Sequence, residues 1–170
     1  MKLSELYLGE LEREAPASRR VLERVPEGLY DWKPHEKSMP LGYLATLVAT
    51  MPSWIDTMVN QDELDIAPKE PSGFKPPELR TSRDLLEAFD VAMAKGHAAL
   101  RSTNDEHLRT TWKLLAGGNV MQEQARYIAI GDGVLNHWAH HRGQLTVYLR
   151  LNDVPVPSIY GPTADERFGQ

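Results

Sequence analysis

The chain contains no cysteine, so disulfides, thiolate metal sites and a protein thiol nucleophile are excluded together, and thiol chemistry would need an external thiol. Positive charge is in short supply too: 19 Lys and Arg stand against 24 Asp and Glu, a formal net charge of -5. Nucleic-acid surfaces and polybasic membrane contacts need clustered Lys and Arg, so neither kind of partner is expected. Long apolar runs are missing as well. The longest uncharged stretch, between Lys37 and Asp56, is interrupted by Pro40, Gly42, Pro52 and Ser53, and it is too short and mixed for a bilayer span. Met1 to Glu14 intersperses charges among leucines, without the apolar core of a signal peptide, which leads to the expectation of a cytoplasmic protein. There is no internal repeat and no low-complexity tract.

What is present is a 170-residue chain, 41% hydrophobic, long enough for one globular domain over residues 1–170 that buries about 70% of its unfolded surface. Four helical patterns stand out. The first runs from about Leu3 to Arg24, with Leu8, Leu11, Ala15, Ser18 and Leu22 on one stripe. Pro16 lies in its middle and predicts a kink or break near Ala15. Pro26 to Pro34 reads as a connecting loop. Ser38, just before Pro40, reads as the cap of a second helix ending near Asn60. That helix is apolar over a broad arc, which suggests burial on two sides, against neighbouring helices and a subunit partner.

Gln61 to Pro77 is rich in Pro, Asp and Glu and reads as a long surface connection. A third helix covers about Ser82 to Ser102, with Thr81 or Ser82 as its cap. Between Thr103 and Gln124 the pattern loosens, and Thr111 to Leu115 is compatible with an extended segment. The last helix, about Gln124 to Asn152, carries Ile130, Val134, His137, His141, Leu145 and Tyr148 at steps of three and four. Four helices with one long middle connection define an all-α helix bundle.

His137 and His141 fall at the centre of that last stripe. Residues four apart stack on one helix face, so two imidazoles at this spacing can reach one metal ion or one substrate atom. The plainer reading is that each ring donates an N–H to a neighbour and completes the core, since buried polar groups are nearly always paired. His140 lies about 80° to 120° away around the helix. Asp132 points away from the stripe, and Tyr127 and Gln144 are weak ligands. Arg142 has two readings, an anion clamp for a substrate or the partner of an inter-helix carboxylate. The tryptophans Trp32, Trp54, Trp112 and Trp138 read as core or interface anchors. Gly143 reads as a point of close packing, and Tyr160 to Glu166 either as a lid over the bundle mouth or as an ordered tail.

The block His137-Trp138-Ala139-His140-His141-Arg142-Gly143-Gln144-Leu145-Thr146-Val147-Tyr148-Leu149-Arg150, followed by Val154-Pro155-Val156-Pro157 and Tyr160-Gly161-Pro162-Thr163-Ala164-Asp165-Glu166, resembles the DinB-like, damage-inducible family. Trp32-Lys33-Pro34-His35-Glu36-Lys37-Ser38-Met39 and Pro52-Ser53-Trp54 fit the same pattern. The resemblance implies an up-down-down-up four-helix bundle, often a homodimer, with a divalent metal such as zinc or nickel held by three histidines, one on the second helix and two on the last. It also implies kinship with metal-dependent transferases that use low-molecular-weight thiols such as bacillithiol or mycothiol, and with a thiol-dependent isomerase. His137 and His141 match the two last-helix ligands.

The third position departs from the pattern. Where the family has a histidine, within leucine-alanine-x-histidine, this chain reads Leu44-Ala45-Thr46-Leu47, and a leucine has no electron pair to donate. A catalytic zinc normally has three protein ligands and one open position. Three readings remain. The chain is a DinB-like protein with a degenerate, weakly metal-binding site at His137 and His141. Alternatively it is a metal-dependent transferase acting on an external thiol, or a non-catalytic dimeric or small-molecule binding module.

Overall fold

In the computed structural model, which describes residues 1–69 and 78–167, the first helix, α1 (Leu3–Leu22), buries Tyr7, Leu11, Ser18, Val21 and Leu22. It passes unbroken through Pro16, against the expected break. Pro16 is exposed, so the carbonyl deprived of its N–H partner faces water, and the buried stripe on the opposite side holds the helix together.

The second helical stretch is segmented. It comprises α2 (Leu41–Thr50), a 3-10 turn (Met51–Ser53) and α3 (Trp54–Asn60). Ser38 does not cap α2: Pro40 occupies the cap position and no side chain bonds there. Pro40 sets the backbone just before the helix through its fixed φ, and the N–H groups of Leu41 and Gly42 bond the carbonyls of Trp32 and Tyr30 instead. The broad apolar arc is largely consumed inside the chain. Leu41, Leu44, Ala45, Val48, Ala49, Met51 and Ile55 are fully buried, while Tyr43 stays half exposed.

Next, α4 (Ser82–Ser102) starts where Thr81 accepts the Asp84 N–H and Asp84 accepts the Thr81 N–H, a reciprocal cap. After it come a short α5 (Asp105–Leu108) and then strands rather than a wholly helical chain. β2 (Thr111–Ala116) and β3 (Asn119–Ala125) form an antiparallel hairpin, with a register shift at Leu114/Leu115, and β1 (Glu63–Asp65) adds in parallel to β2. The chain is mostly helical with a three-stranded sheet, which corrects the all-α expectation. The hairpin turn is Gly117-Gly118, both at positive φ, the backbone that a two-residue hairpin loop requires. Asp65 fastens β1 to that turn by accepting both glycine N–H groups, at 3.0 and 2.7 Å. Part of the expected surface connection from Gln61 is therefore sheet, and residues 70–77 of it lie outside those described.

The last helix comprises α6 (Arg126–Ile130), a π-helical segment (Gly131–Asn136) and α7 (His137–Leu151). Of the long helices, α1 packs on α4 and α7, and α2 packs on the same two. One buried cluster joins them, and Trp112 of β2 belongs to it. Among the described residues no helix is long and apolar enough to cross a membrane.

Candidate metal centre and the adjoining cavity

The site is governed by the π segment. Its i→i+5 bonding underwinds the helix, so after Ile130 and Val134 the next fully buried position is Trp138, followed by Arg142, Leu145 and Leu149. His137 is thereby displaced from the centre of the stripe to its half-buried edge. This corrects the expectation that both imidazoles lie at the middle of the inward face. Trp138 takes the central place, and its Nε1–H donates to the Val48 carbonyl at 2.8 Å, pinning α7 to α2. Leu47 and His137 are the chain neighbours of that bonded pair. Leu47 is half-buried and packed against the core.

His141 is buried, and its ring centroid is 4.4 Å from that of His137. The two rings converge on one face, as the four-residue spacing predicts. Gln144, counted from sequence as only a weak ligand, has a different place: its Oε1 is 2.8 Å from His141 Nδ1. An amide oxygen can only accept, so the ring donates there and keeps its lone pair on Nε2. Burial holds the His141 pKa below the ordinary histidine value, opposed by the Gln144 hydrogen bond and reinforced by His137 and His140. A neutral imidazole with a free Nε2 is a competent ligand.

A third donor is not found. Among the described residues no group of three His, Asp or Glu side chains could hold a metal ion. His140 is exposed beside His141, with ring centroids 5.2 Å apart. His107 directs Nε2 to the Val59 carbonyl at 2.7 Å, and His35 Nδ1 accepts the Lys37 N–H. The donor set therefore does not fit a three-histidine centre.

Beside the pair opens a cavity of about 490 Å³. Trp54 and Met58 of α3, Trp112 and Leu114 of β2, and Asp132 and His137 of the last helix all contribute to its wall. Trp54 lies against the His137 ring, 5.9 Å between centroids. Asp132 thus shares a wall with His137, although a regular helix would turn it away; the π segment makes the difference.

Arg142 is buried, and its guanidinium bonds the Ser18 hydroxyl at 3.0 Å, the Glu14 carboxylate and the Tyr160 hydroxyl. Of the two readings of Arg142, the structure carries the inter-helix carboxylate. Residues Val154 to Arg167 lie against α1 and α7, with Tyr160 bonded to Glu14, Arg24 paired to Glu166 and Arg150 to Asp165. None of the described tail residues lines the cavity.

Sequence reading missed Arg126, a fully buried side chain. Its Nη1 donates to the Met58 carbonyl at 2.7 Å and the Gln61 carbonyl at 2.5 Å, and Nε donates to Thr110 Oγ1 at 2.9 Å. It closes the end of α3 and thereby fixes one wall of the cavity. No local pattern distinguishes such an arginine from a surface one.

The DinB family model matches residues 1–167, and the chain belongs to that family. The fold is similar to that of a DinB-like protein from Bacillus cereus, with a TM-score of 0.69 and 19% identity over 92% of this chain and 97% of that one. A DinB-like protein from Bacillus subtilis gives 0.65 and 20% identity over 89% and 96%. At these identities the likeness is one of fold. In sequence, the chain is 35% identical over 71 residues to the uncharacterized protein YrdA of Bacillus subtilis, an alignment spanning 36% of this chain and 40% of that relative.

Proposed function

We propose that this DinB-family protein retains two of the three histidines of a divalent-metal centre, His137 and His141, and binds zinc or nickel weakly without metal-dependent turnover. The carrying observation is the pair of converging rings 4.4 Å apart with Leu47, not a histidine, at the family's third ligand position. The proposal treats residues 1–170 as one domain and the long helices as an up-down-down-up bundle. The packing of α1 and α2 on each other and on both α4 and α7 supports that arrangement.

Two imidazoles leave at least half of the coordination sphere to water, and losing even an outer-shell partner typically lowers metal affinity by about 10- to 100-fold. Loss of a direct ligand costs at least about that much. The test is elemental analysis of protein purified without a nickel resin, together with a turnover assay using zinc, a low-molecular-weight thiol and an electrophile. Substoichiometric metal and no turnover are expected. Tightly held stoichiometric zinc, or turnover abolished by His141→Ala, would replace this reading with the thiol-transferase one.

A further inference from the structure

We infer that the cavity beside His137 is a binding site for a small aromatic amine, independent of any metal. Its volume, about 490 Å³, lies within the roughly 300–1,000 Å³ of small-molecule sites. The wall is mostly apolar, and two indoles, Trp54 and Trp112, approach it from different elements. Leu64 and Ile66 also border it, 38% and 62% exposed, so the entrance carries apolar surface that nothing in the described chain covers.

Charge selects the ligand. Among the described residues Asp132 is the one ionised side chain in the wall, and neither Lys nor Arg lines it. An anionic ligand would be repelled with no compensating partner among the described residues, while a cation is attracted. Asn136 Nδ2 donates to Asp132 Oδ1 at 3.1 Å, which steadies the carboxylate and leaves it acceptor capacity. The backbone supports the same site. In a regular helix Asp132 and His137, five residues apart, would sit about 140° apart around the axis. The π segment between Gly131 and Asn136 brings both to one wall, and such segments concentrate where a helix serves a function. Aromatic rings match the indoles, and a protonated nitrogen matches Asp132.

The probes are 2-phenylethylamine, 3-phenylpropionate and n-butylamine, titrated into the full-length protein in EDTA while the four tryptophan indole N–H signals are followed by NMR. The amine should shift the Trp54 and Trp112 signals saturably and leave Trp32 unmoved. It should bind at least about tenfold tighter than the carboxylate, which has the same ring and the opposite charge. n-Butylamine, which lacks the ring, should bind more weakly than 2-phenylethylamine. Asp132 is exposed, so Asp132→Asn will fold, and it should abolish the preference for amine over carboxylate. Absence of saturable shifts, equal binding of the two aromatic probes, or an unchanged preference in Asp132→Asn would each overturn the proposal. Because EDTA is present throughout, failure here leaves the two-histidine reading intact, and failure of that reading leaves this one intact.

Discussion

Two helical glycines should respond to alanine with opposite signs. Gly96 on α4 faces the 3-10 turn, and a Cβ built there would lie 2.7 Å from the Pro52 carbonyl oxygen. Ordinary carbon–oxygen contacts begin near about 3.3 Å, so a gap of about 0.6 Å must open. The obstructing atom is backbone, and no rotamer change relieves it; α4 or the Met51–Ser53 turn has to move. Overpacking of this kind costs about 1–3 kcal/mol, offset by up to about 1 kcal/mol of helix propensity gained over glycine. Gly96→Ala should therefore lose up to about 2 kcal/mol, lowering Tm by as much as roughly 4–8 °C for a chain of this size. Gly143 on α7, expected from sequence to mark close packing, has nothing within 4 Å of its virtual Cβ. Gly143→Ala should gain about 0.5–1 kcal/mol through propensity alone. Urea denaturation followed by circular dichroism measures both. Gly96→Ala at or above wild-type stability would refute the contact argument. Loss of stability in Gly143→Ala would mean that another molecule covers that face in solution.

Arg126→Met should cost roughly 2 kcal/mol, because the buried Met58 carbonyl loses its donor at about 1–3 kcal/mol and the Gln61 carbonyl, on an exposed residue, at less. The Asp62 pair adds little, since that carboxylate is 92% exposed. A denaturation midpoint equal to wild type would show that α3 is closed by other groups. At acid pH the tail should be the responsive element. The Arg24 hydrogen bond, then the Ser158 N–H, holds Glu166 below the ordinary carboxylate range, and Arg150 with the Val156 N–H does the same for Asp165. Depressed folded-state pKa values mean that this stabilisation is fully present above the unfolded pKa and disappears as pH falls through the folded values. Asp165→Asn with Glu166→Gln should therefore flatten the decline of unfolding free energy below about pH 5, and a slope identical to wild type would contradict the assignment.

Much of the helical framework was legible because its signals are local. Thr81 or Ser82 announces the start of α4, and the three- and four-residue stripes locate α1 and the last helix. The departures arise where tertiary context overrides a local rule. Pro16 does not break α1 because its freed carbonyl faces solvent. β3 occupies the segment just before Arg126, because Gly117-Gly118 supplies a hairpin turn whose partner strand has too little alternation to announce itself. The π segment carries no strong sequence mark beyond Gly131 and Gly133, yet it decides that Trp138 rather than His137 lies at the centre of the buried face. The histidine pair was visible as spacing, whereas the orienting role of Gln144 and the Asp132 side of the cavity depend on geometry that spacing cannot specify.

The most direct test of the proposed two-histidine site is a competitive zinc titration comparing the wild-type protein with Leu47→His. A third imidazole at residue 47 of α2, next in the chain to Val48, whose carbonyl takes the Trp138 hydrogen bond, should raise zinc affinity by at least about tenfold, and His141→Ala should abolish the gain. An unchanged affinity in Leu47→His, in a protein that remains folded, would mean that residue 47 does not face the pair and that the two histidines are not the remainder of a metal centre.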